Sequence, residues 1–249
     1  MRNKQPRFCI ITITFNAEET LERTILSVLE QNYPHKEHIV IDGASKDATL
    51  DIIQKYRNQL SQVISEKDSG LYDAMNKGLK MASGDYICFL NAGDKFHSKD
   101  TLSSIAQSLS DKDEDMDVLY GETNIVDDEG KFLRARHHRA PDSLSWTSFK
   151  KGMLVCHQAF FASTKFKDIT YDLRYRYSAD YDWCIRILKA SRNIHNTHLT
   201  LIDYLDGGLT DKKRISSLKE RFRIMARYYG LGKTIGHHIK LVFKHLSGL

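Results

Sequence analysis

The chain has 249 residues, of which 41% are apolar, which is enough to bury one substantial core and excludes a disordered or fibrous protein. The four cysteines lie far apart without C-x-x-C spacing, so we expect buried thiols in a reducing compartment rather than a zinc or dithiol site. Residues 1–8 lack a charged-then-apolar leader, and no apolar run approaches the ~20 residues of a membrane span. We therefore expect neither secretion nor an integral membrane anchor.

The net charge of +5 is unevenly distributed along the chain. Residues 212–249 contain ten Lys or Arg residues and one acid, so the remainder is mildly acidic. This asymmetry predicts a main domain over residues 1–211 and a basic tail over residues 212–249.

Strands and helices alternate in the first part of the chain. Apolar runs predict strands at residues 8–14, 38–41, 63–65 and 86–90, and helical spacing of apolar residues predicts three intervening helices through Leu21, Ile53 and Met75. Such alternation with short connections indicates an α/β fold, in which a mostly parallel sheet has helices on both faces. Right-handed crossovers then bring every loop at the carboxyl end of a strand to one edge.

The pattern changes after Asp94. We expect a helix over residues 101–109, strands at 118–120 and 125–126 joined to a hairpin turn at 127–130, and a mobile loop over 131–152. A strand at 155–161, a helix at 180–188 and a strand at 201–204 follow.

Polar side chains follow the predicted strands at the shared edge: Thr14 to Asn16, Asp42, Asp68, and Asn91 with Asp94. Carboxylates bind phosphate poorly because like charges repel, whereas a divalent cation can bridge Asp94 and a diphosphate. An ordinary turn is the alternative interpretation of Asp94 after Gly93. The chain contains neither G-x-G-x-x-G after its first strand nor G-x-x-x-x-G-K-[ST], which disfavours dinucleotide oxidoreductases and P-loop enzymes.

Several motifs in order carry a resemblance to a known family. They are I-T-I-T-F-N-A-E-E-T-L at 11–21, I-V-I-D-G-A-S-K-D-A-T at 39–49, S-E-K-D-S-G-L-Y-D-A-M-N-K-G at 65–78, L-N-A-G-D at 90–94 and S-A-D-Y-D-W at 178–183. The chain resembles family 2 glycosyltransferases over roughly residues 6–207. That resemblance implies the GT-A nucleotide-diphospho-sugar transferase fold and an inverting, nucleotide-sugar-dependent activity of the kind that builds bacterial surface polysaccharides.

The resemblance also implies that residues 1–211 form a catalytic domain, with a nucleotide-binding half over about residues 1–97 and an acceptor half over about residues 98–211. It further implies roles for individual residues. Thr14, Phe15 and Asn16 would border the nucleotide, Asp42 would accept a hydrogen bond from the base, and Asp68 and Asn91 would help form the donor site. Asp94 would be the main ligand of Mg²⁺ or Mn²⁺, since Asn91 and Gly93 stand where the family motif usually has further carboxylates. Gly43 likewise stands where many members have a second Asp.

Asp180 is the candidate catalytic base. Inverting transfer needs one carboxylate that takes the proton of the acceptor hydroxyl as its oxygen attacks the anomeric carbon. Asp180 lies near the start of a predicted helix in the position of the family's base, and Asp182, two residues on, should point elsewhere. The alternative interpretation of Asp180 is a helix N-cap.

Three further residues are weaker candidates for the acceptor site. His157 and Gln158 lie in a stretch where similar enzymes have a site histidine, although a histidine beside an apolar run is often a core residue. Trp183, with Trp146 and Tyr181, is a candidate for stacking on an acceptor sugar, against the alternative of core packing.

The tail has apolar residues at helical spacing among basic ones, which is typical of an amphipathic helix. Two interpretations stay open: the tail lies on an anionic membrane surface, or its apolar stripe packs on the catalytic domain or on a second subunit in a homodimer. No nucleic-acid-binding motif accompanies the basic residues, so we expect no nucleic-acid partner.

The favoured function is a non-processive transfer of one hexose-type sugar, with a UDP-sugar as the default donor and a saccharide or lipid-linked saccharide as acceptor. We expect a cytoplasmic protein, at the inner face of the cell membrane if the tail binds lipid. A nucleotidyltransferase of similar fold or a nucleotide-sugar-binding protein are the alternatives. A nucleotidyltransferase would need a Gly-rich basic loop after the first strand, and residues Thr14 to Ala17 do not form one.

Overall fold

The computed structural model of the protein describes residues 5–207, 214–236 and 238. The strands are β1 (Phe8–Thr14), β2 (Lys36–Asp42), β3 (Gln62–Ser65), β4 (Tyr86–Phe89), β5 (Lys95–Phe96), β6 (Val118–Val126), β7 (Phe132–Ala135), β8 (Phe160–Ser163) and β9 (Ile194–Leu205). The helices are α1 (Leu21–Leu29), α2 (Thr49–Lys55), α3 (Leu71–Met81), α4 (Thr101–Gln107), α5 (Ala179–Ala190) and α6 (Arg214–Tyr229). Residues 231–236 are also helical.

One sheet runs through the described part of the chain in the order β3-β2-β1-β4-β8-β6-β9-β5, and β7 pairs with β6. The first four strands are parallel to one another, as the alternation predicted. β8 is antiparallel to both β4 and β6, whereas β9 is parallel to β6. The two halves of the sheet are therefore built differently, parallel on the side of β1 and mixed on the side of β6.

Helices cover both faces of this sheet. β1 is buried along its whole length, and its side chains alternate between the two faces. Ile11 packs in the cluster that contains residues of α3, α5 and α6, while Ile10 packs in the cluster that contains residues of α1 and α4. All four cysteines are buried free thiols, as expected.

The second half of the chain differs from the expectation in several places. Residues 131–152, expected as a mobile loop, contain β7 and a 3₁₀ helix at Trp146–Lys151 whose Phe149 is buried. The strand expected at 155–161 begins only at Phe160, because a 3₁₀ turn occupies His157–Ala159. The strand expected at 201–204 is the end of the longer β9. These differences arise because strand pairing with β6, rather than local propensity, sets the strand limits.

The described part of the tail shows features of both interpretations given above. In α6, Ile224, Met225 and Tyr229 are buried in the same cluster as α5. Ile215 and Leu218 on the same helix are 71% and 51% exposed. Within residues 214–236, one apolar stripe therefore packs on the cluster that contains α5 and a second faces outward, while tail residues 212, 213, 237 and 239–249 lie outside the described residues.

Candidate active site

The carboxyl ends of the parallel strands meet at one edge of the sheet. Thr14, the last residue of β1, pairs with Asp42 of β2, which in turn pairs with Ser65 of β3. The loops that follow these strands and β4 are therefore neighbours, as the sequence predicted. In open α/β sheets this edge is the usual place for ligands.

Asp42 organises the loop after β2. Its side chain is fully buried, and Oδ2 accepts hydrogen bonds from the Ser45 amide at 3.1 Å and the Ser65 hydroxyl at 2.6 Å. The Ser45 hydroxyl also donates to Asp42 Oδ1. The sequence missed both serines, since nothing in their spacing marks them as partners of Asp42. The carboxylate ties the loop at 43–48 to the end of β3.

The loop after β1 is held against the same segment. Asn16 has a positive φ of 47°, its amide donates to Ser45 Oγ at 2.8 Å, and its Oδ1 accepts from the Lys46 amide at 2.8 Å. Phe15 is 61% exposed beside this turn. Thr14 Oγ1 is buried without a hydrogen-bond partner. An open aromatic ring and an unpaired hydroxyl at a strand end are suited to a ligand with a planar ring and polar groups.

Gly43, Asp68 and Phe15 converge at this edge. A Cβ atom on Gly43 would lie 2.5 Å from Asp68 Oδ2 and 3.2 Å from Phe15 Cδ2. Asp68 is itself oriented by the Gly70 amide, which donates to its Oδ1 at 2.8 Å. The space that a second acidic side chain at position 43 would need is therefore occupied by the carboxylate of Asp68.

Asp94 is a buried carboxylate with two donors from other elements. It is 4% exposed, its Oδ2 accepts from Gln158 Nε2 at 2.9 Å, and its Oδ1 accepts from the Leu205 amide at 3.0 Å. Burial raises the pKa of Asp94 to about 7, against the lowering effect of the Leu205 and Gln158 hydrogen bonds and the Arg23 charge. A nearby cation would strongly favour the ionised form.

A tight turn delivers Asp94 to this position. Gly93 has φ of +102°, and a Cβ there would lie 2.8 Å from Leu205 Cδ2. Thr24 of α1 holds the turn, since its hydroxyl accepts from the Gly93 amide at 2.9 Å and donates to the Asp94 carbonyl at 2.7 Å. Asn91 Oδ1, in the same turn, is buried without a partner. The sequence predicted this turn but contained no pattern that indicates that Thr24 holds it.

The residues at the Asp94 turn fit a divalent cation whose remaining coordination positions are filled by a bound ligand and water. Mg²⁺ and Mn²⁺ take oxygen ligands, and Mg²⁺ commonly uses one or two carboxylates together with water and substrate phosphates. The unpaired Asn91 Oδ1 and the Asp94 carboxylate lie in one short turn. Within the described residues no group of three or more His, Cys, Asp or Glu side chains could hold a metal by itself.

Gln158 and His157 occupy a buried segment beneath the site. The Cys156 thiol donates to Gln158 Oε1 at 3.0 Å, which leaves the amide Nε2 directed to Asp94. His157 is 5% exposed, hydrogen-bonds Tyr171 Oη through Nε2 at 2.7 Å and stacks on Phe89. Burial lowers the pKa of His157 to about 4, against the opposing effect of the Asp180 charge. In this structure both residues support the site from inside the core.

Asp180 lies in the first turn of α5. The helix begins at Ala179 after Ser178, so Asp180 is not in the N-cap position. The side chain is half-buried, and its Oδ1 accepts from Tyr72 Oη at 3.1 Å and from the Tyr181 amide at 2.8 Å. Burial, together with the Asp180 charge, raises the pKa of Tyr72 well above its usual value, so the hydroxyl stays protonated and donates. Tyr72 belongs to the first turn of α3, directly after the loop that contains Asp68.

Asp182 has a different environment. Its side chain is 1% exposed, its Oδ2 accepts from Arg186 Nε at 2.7 Å, and its Oδ1 accepts from Tyr228 Oη at 2.8 Å. This carboxylate joins α5 to α6. As the helical spacing predicted, Asp182 points away from Asp180.

Trp183 is not available to an acceptor sugar in this structure, contrary to the expectation. It is 1% exposed, its indole N–H donates to the Ile169 carbonyl at 2.6 Å, and its ring stacks on Tyr171 at 5.0 Å between centroids. Tyr181 is also fully buried, and Trp146 stacks on Tyr229. Core packing prevails for Trp183 because its ring lies against Tyr171, Phe89, His157 and Phe160 and its N–H is already used.

The structure connects the two acidic groups through buried side chains. Tyr72, which donates to Asp180, stacks on Tyr171 at 5.6 Å between centroids, and Tyr171 in turn hydrogen-bonds His157. His157 is the neighbour of Gln158, which donates to Asp94. Asp94 and Asp180 are therefore held by one contiguous network, of which Tyr72 and Tyr171 were not found from the sequence.

The sequence has clear relatives. A family model described as glycosyl transferase family 2 matches residues 9–171. A PGL/p-HBAD biosynthesis glycosyltransferase of Mycobacterium bovis (strain BCG / Pasteur 1173P2) is 32% identical over 215 residues, which cover 83% of this chain and 80% of that protein. A putative teichuronic acid biosynthesis glycosyltransferase, TuaG of Bacillus subtilis (strain 168), is 32% identical over 158 residues, 62% of this chain and 61% of that protein.

Solved structures share the fold. Residues 1–349 of S. aureus TarS, in complex with UDP, superpose with a TM-score of 0.70 at 19% identity, covering 97% of this chain and 72% of that chain. The mannosyltransferase PcManGT from Pyrobaculum calidifontis, in complex with GDP-Man and Mn²⁺, gives a TM-score of 0.62 at 17% identity, covering 99% and 77%. At these identities the likeness concerns the fold, and it confirms the architecture expected from the sequence.

Proposed function

The chain belongs to glycosyl transferase family 2, and from this premise we propose that it transfers one sugar from a nucleoside diphosphate sugar to a saccharide or lipid-linked saccharide, with inversion. The observation that carries the proposal is the contact between Asp180 and Tyr72 at 3.1 Å. It holds a half-buried carboxylate beside the first turn of α3, which follows the Asp68 loop at the edge where the strand-end loops converge.

Asp180 is the general base in this proposal. The acceptor hydroxyl oxygen forms a bond to the anomeric carbon as the bond between that carbon and the diphosphate oxygen breaks. Asp180 takes the hydroxyl proton, and the electron pair leaves with the nucleoside diphosphate. A positioned base of this kind typically contributes about 10²- to 10⁴-fold in rate. Tyr72 holds one oxygen of the carboxylate and restricts its rotation.

The strand-end loops form the donor site. The exposed ring of Phe15 stacks on the nucleotide base, while Thr14, Asn16 and Asp68 contribute polar contacts around the nucleotide. Asp42 has no exposed surface. Its contribution is to hold the Ser45 loop that borders the base, and direct contact with the base would require this loop to open.

Asp94 and Asn91 would supply the protein oxygens that hold a divalent cation at the Asp94 turn, and the cation would supply neutralisation of the charge on the departing diphosphate. Gln158 and the Leu205 amide orient the carboxylate. Arg23, on α1, adds a positive charge that lowers the pKa of Asp94.

The tail contributes a surface for a lipid-linked acceptor. Ile215 and Leu218 are exposed on α6, and Leu231 and Ile235 are 57% and 42% exposed beyond it. Together with the basic residues of the tail they make an apolar and cationic surface, the combination that favours the face of an anionic membrane. Within the described residues no helix is long and apolar enough to span a bilayer. Binding of the exposed apolar and basic surface to anionic lipid would hold the protein at the inner face of the cell membrane.

Donor screening tests the proposed function. The full chain is incubated with UDP-, GDP- and TDP-sugars with Mn²⁺ and a set of saccharide acceptors, and released nucleoside diphosphate is measured. We expect release that depends on acceptor, and a product whose anomeric configuration, read by NMR, is opposite to that of the donor. Formation of nucleoside triphosphate and sugar 1-phosphate from a donor and added pyrophosphate would indicate a nucleotidyltransferase instead. If a donor binds tightly but is not turned over with any of the acceptors, the result would favour a nucleotide-sugar-binding protein.

A further inference from the structure

The loop that precedes α5 is held by the C-terminal helix. Glu220, on α6, accepts a hydrogen bond on Oε1 from the Arg176 amide at 2.9 Å and on Oε2 from the Tyr177 amide at 2.8 Å. One carboxylate thus fixes two consecutive backbone N–H groups with both of its oxygens. Hydrogen bonds to a charged acceptor are roughly twice as strong as neutral ones. The bidentate contact fixes the direction in which the chain enters α5.

Two further contacts join the same elements. The hydroxyls of Ser178 and Ser217 are 3.0 Å apart, and both side chains are buried. The Tyr228 hydroxyl donates to Asp182 at 2.8 Å. α6 therefore contacts the chain on both sides of Asp180: at residues 176–178, which precede α5, and at Asp182 within α5. Asp180 lies between the two points of attachment.

We propose that Glu220 is a positioning residue for Asp180, so that the basic tail contains part of the catalytic framework. The inference rests on the proposed function of Asp180 as the base. Glu220 lies outside residues 9–171, which the family model matches. Its effect is exerted through the backbone: the Arg176 and Tyr177 amides set the rotation of the first turn of α5, and that turn sets where the Asp180 carboxylate meets the acceptor hydroxyl.

The proposal predicts a specific kinetic result. A displacement of about 1 Å in a reacting group can cost on the order of 10²-fold in rate. Glu220→Ala releases both amides, so we expect kcat to fall about 10- to 100-fold. The donor site belongs to the loops after β1, β2, β3 and β4, which α6 does not form, so KM for the donor should stay unchanged.

Glu220→Gln is the conservative variant. Its single acceptor oxygen can retain one of the two backbone hydrogen bonds, while its NH₂ group opposes the other amide. We expect a kcat between those of the parent and Glu220→Ala. Ser216→Ala is the matched control, because Ser216 is exposed on the same helix and belongs neither to the basic residues of the tail nor to its apolar stripes. Its kcat should equal that of the parent.

The experiment combines kinetics with hydrogen–deuterium exchange on the full chain. For the parent, the three variants above and Asp180→Asn, we would measure kcat and donor KM with the donor found by screening, and the exchange of amides 176–182 without ligand. Expected are faster exchange at 176–177 in Glu220→Ala, an intermediate rate in Glu220→Gln, and a drop in kcat in the same order. All proteins are assayed below their measured unfolding midpoints.

The outcomes separate the inference from the function on which it rests. If Asp180→Asn retains parent-like activity, Asp180 is not the base, and the inference about Glu220 fails with it. An inactive Asp180→Asn with a parent-like kcat in Glu220→Ala leaves the base in place and overturns the role of Glu220. A loss of activity that merely follows the unfolded fraction, or that Glu220→Gln does not partly restore, also counts against positioning.

Discussion

Gln158 donates a hydrogen bond of 2.9 Å to Asp94 and accepts one of 3.0 Å from the Cys156 thiol. The thiol leaves only one useful orientation of the amide, with the Nε2 group toward the buried carboxylate. The Asp94 position is therefore set from the second half of the sheet as well as by its own turn.

Replacing Gln158 by Ala should weaken cation-dependent nucleotide binding. Loss of a hydrogen bond to a buried charge costs about 1–3 kcal/mol, which corresponds to roughly 5- to 150-fold in affinity. We would measure binding of the donor's nucleoside diphosphate in the presence of Mn²⁺ by calorimetry. Cys156→Ala is the control with a smaller expected effect. Parent-like affinity in Gln158→Ala would show that the amide does not support the site.

Removing the cation, or the charge of Asp94, should abolish most of the transfer. Asp94→Asn keeps the shape of the side chain but loses the anionic oxygen that a divalent ion requires. We expect release of nucleoside diphosphate to fall sharply in chelator, to return with Mn²⁺ or Mg²⁺, and to stay low in Asp94→Asn. Asp206→Asn is the matched control, because this acid follows Leu205 but is exposed and paired with Arg134. Full activity of Asp94→Asn in chelator would remove the metal from the mechanism.

Asp180 and Asp182 should respond in opposite ways to the same substitution. Asp180→Asn keeps the size of the side chain but cannot accept a proton, so we expect transfer to drop about 10²- to 10⁴-fold with a small change in thermal midpoint. Asp182→Asn weakens the pair with Arg186 and the bond from Tyr228, so it should lower stability by about 1–3 kcal/mol and leave the chemistry of the folded protein intact. Transfer rates and thermal midpoints of both variants test this. The reversed pattern would make Asp182 the base.

Buried histidines should make the protein sensitive to mild acid. Burial lowers the pKa of His157 to about 4 and that of His38 to about 3, from an ordinary value of 6.5. Between these values and 6.5 each histidine binds more protons in the unfolded chain than in the folded one, so the contribution of the histidines to the free energy of unfolding falls as pH drops from 6.5 toward 4, whereas the raised pKa of Asp94 acts in the opposite direction. Above 6.5 both states are neutral and the effect vanishes.

His157→Gln removes one of these titrating groups. The thermal midpoint of the variant should decrease less steeply than that of the parent between pH 6.5 and 4, while the two profiles run parallel above pH 7. Differential scanning calorimetry over this range measures both slopes. Identical slopes in parent and variant would mean that His157 does not stay neutral in the folded protein.

The outward stripe of α6 should control binding to anionic vesicles. Ile215→Glu and Leu218→Glu remove apolar surface and add negative charge at exposed positions, whereas deletion of the tail would also remove the buried Ile224 and Met225. In sedimentation with phosphatidylserine-containing vesicles, the parent should bind and lose affinity with added salt, and the double variant should stay in solution. Equal binding by both, or a parent that forms a dimer through this stripe and ignores vesicles, would exclude the membrane contact.

The amino-acid sequence alone determined the parallel half of the sheet. Its strands are continuous apolar runs, each followed by a polar loop and an amphipathic helix, so local patterning and crossover handedness were sufficient to bring Thr14, Asp42 and Asp68 to one edge. Asp94 and Asp180 were singled out because they lie at a strand end and near a helix start in motifs that resemble those of the family, and their roles as metal ligand and base stay predictions.

Only the tertiary structure decided which partners these groups have. Gln158 meets Asp94 across 64 positions of sequence, and Tyr72 meets Asp180 across 108. Contacts of such separation depend on how β8 and α5 pack on the sheet, which no local period encodes. The same reason explains Trp183. Its position at the end of the motif at 178–183 suggested contact with a sugar, but the packing of the core buries it. The same reason also explains Glu220, an acid in a basic tail, whose two backbone partners lie 44 and 43 residues away.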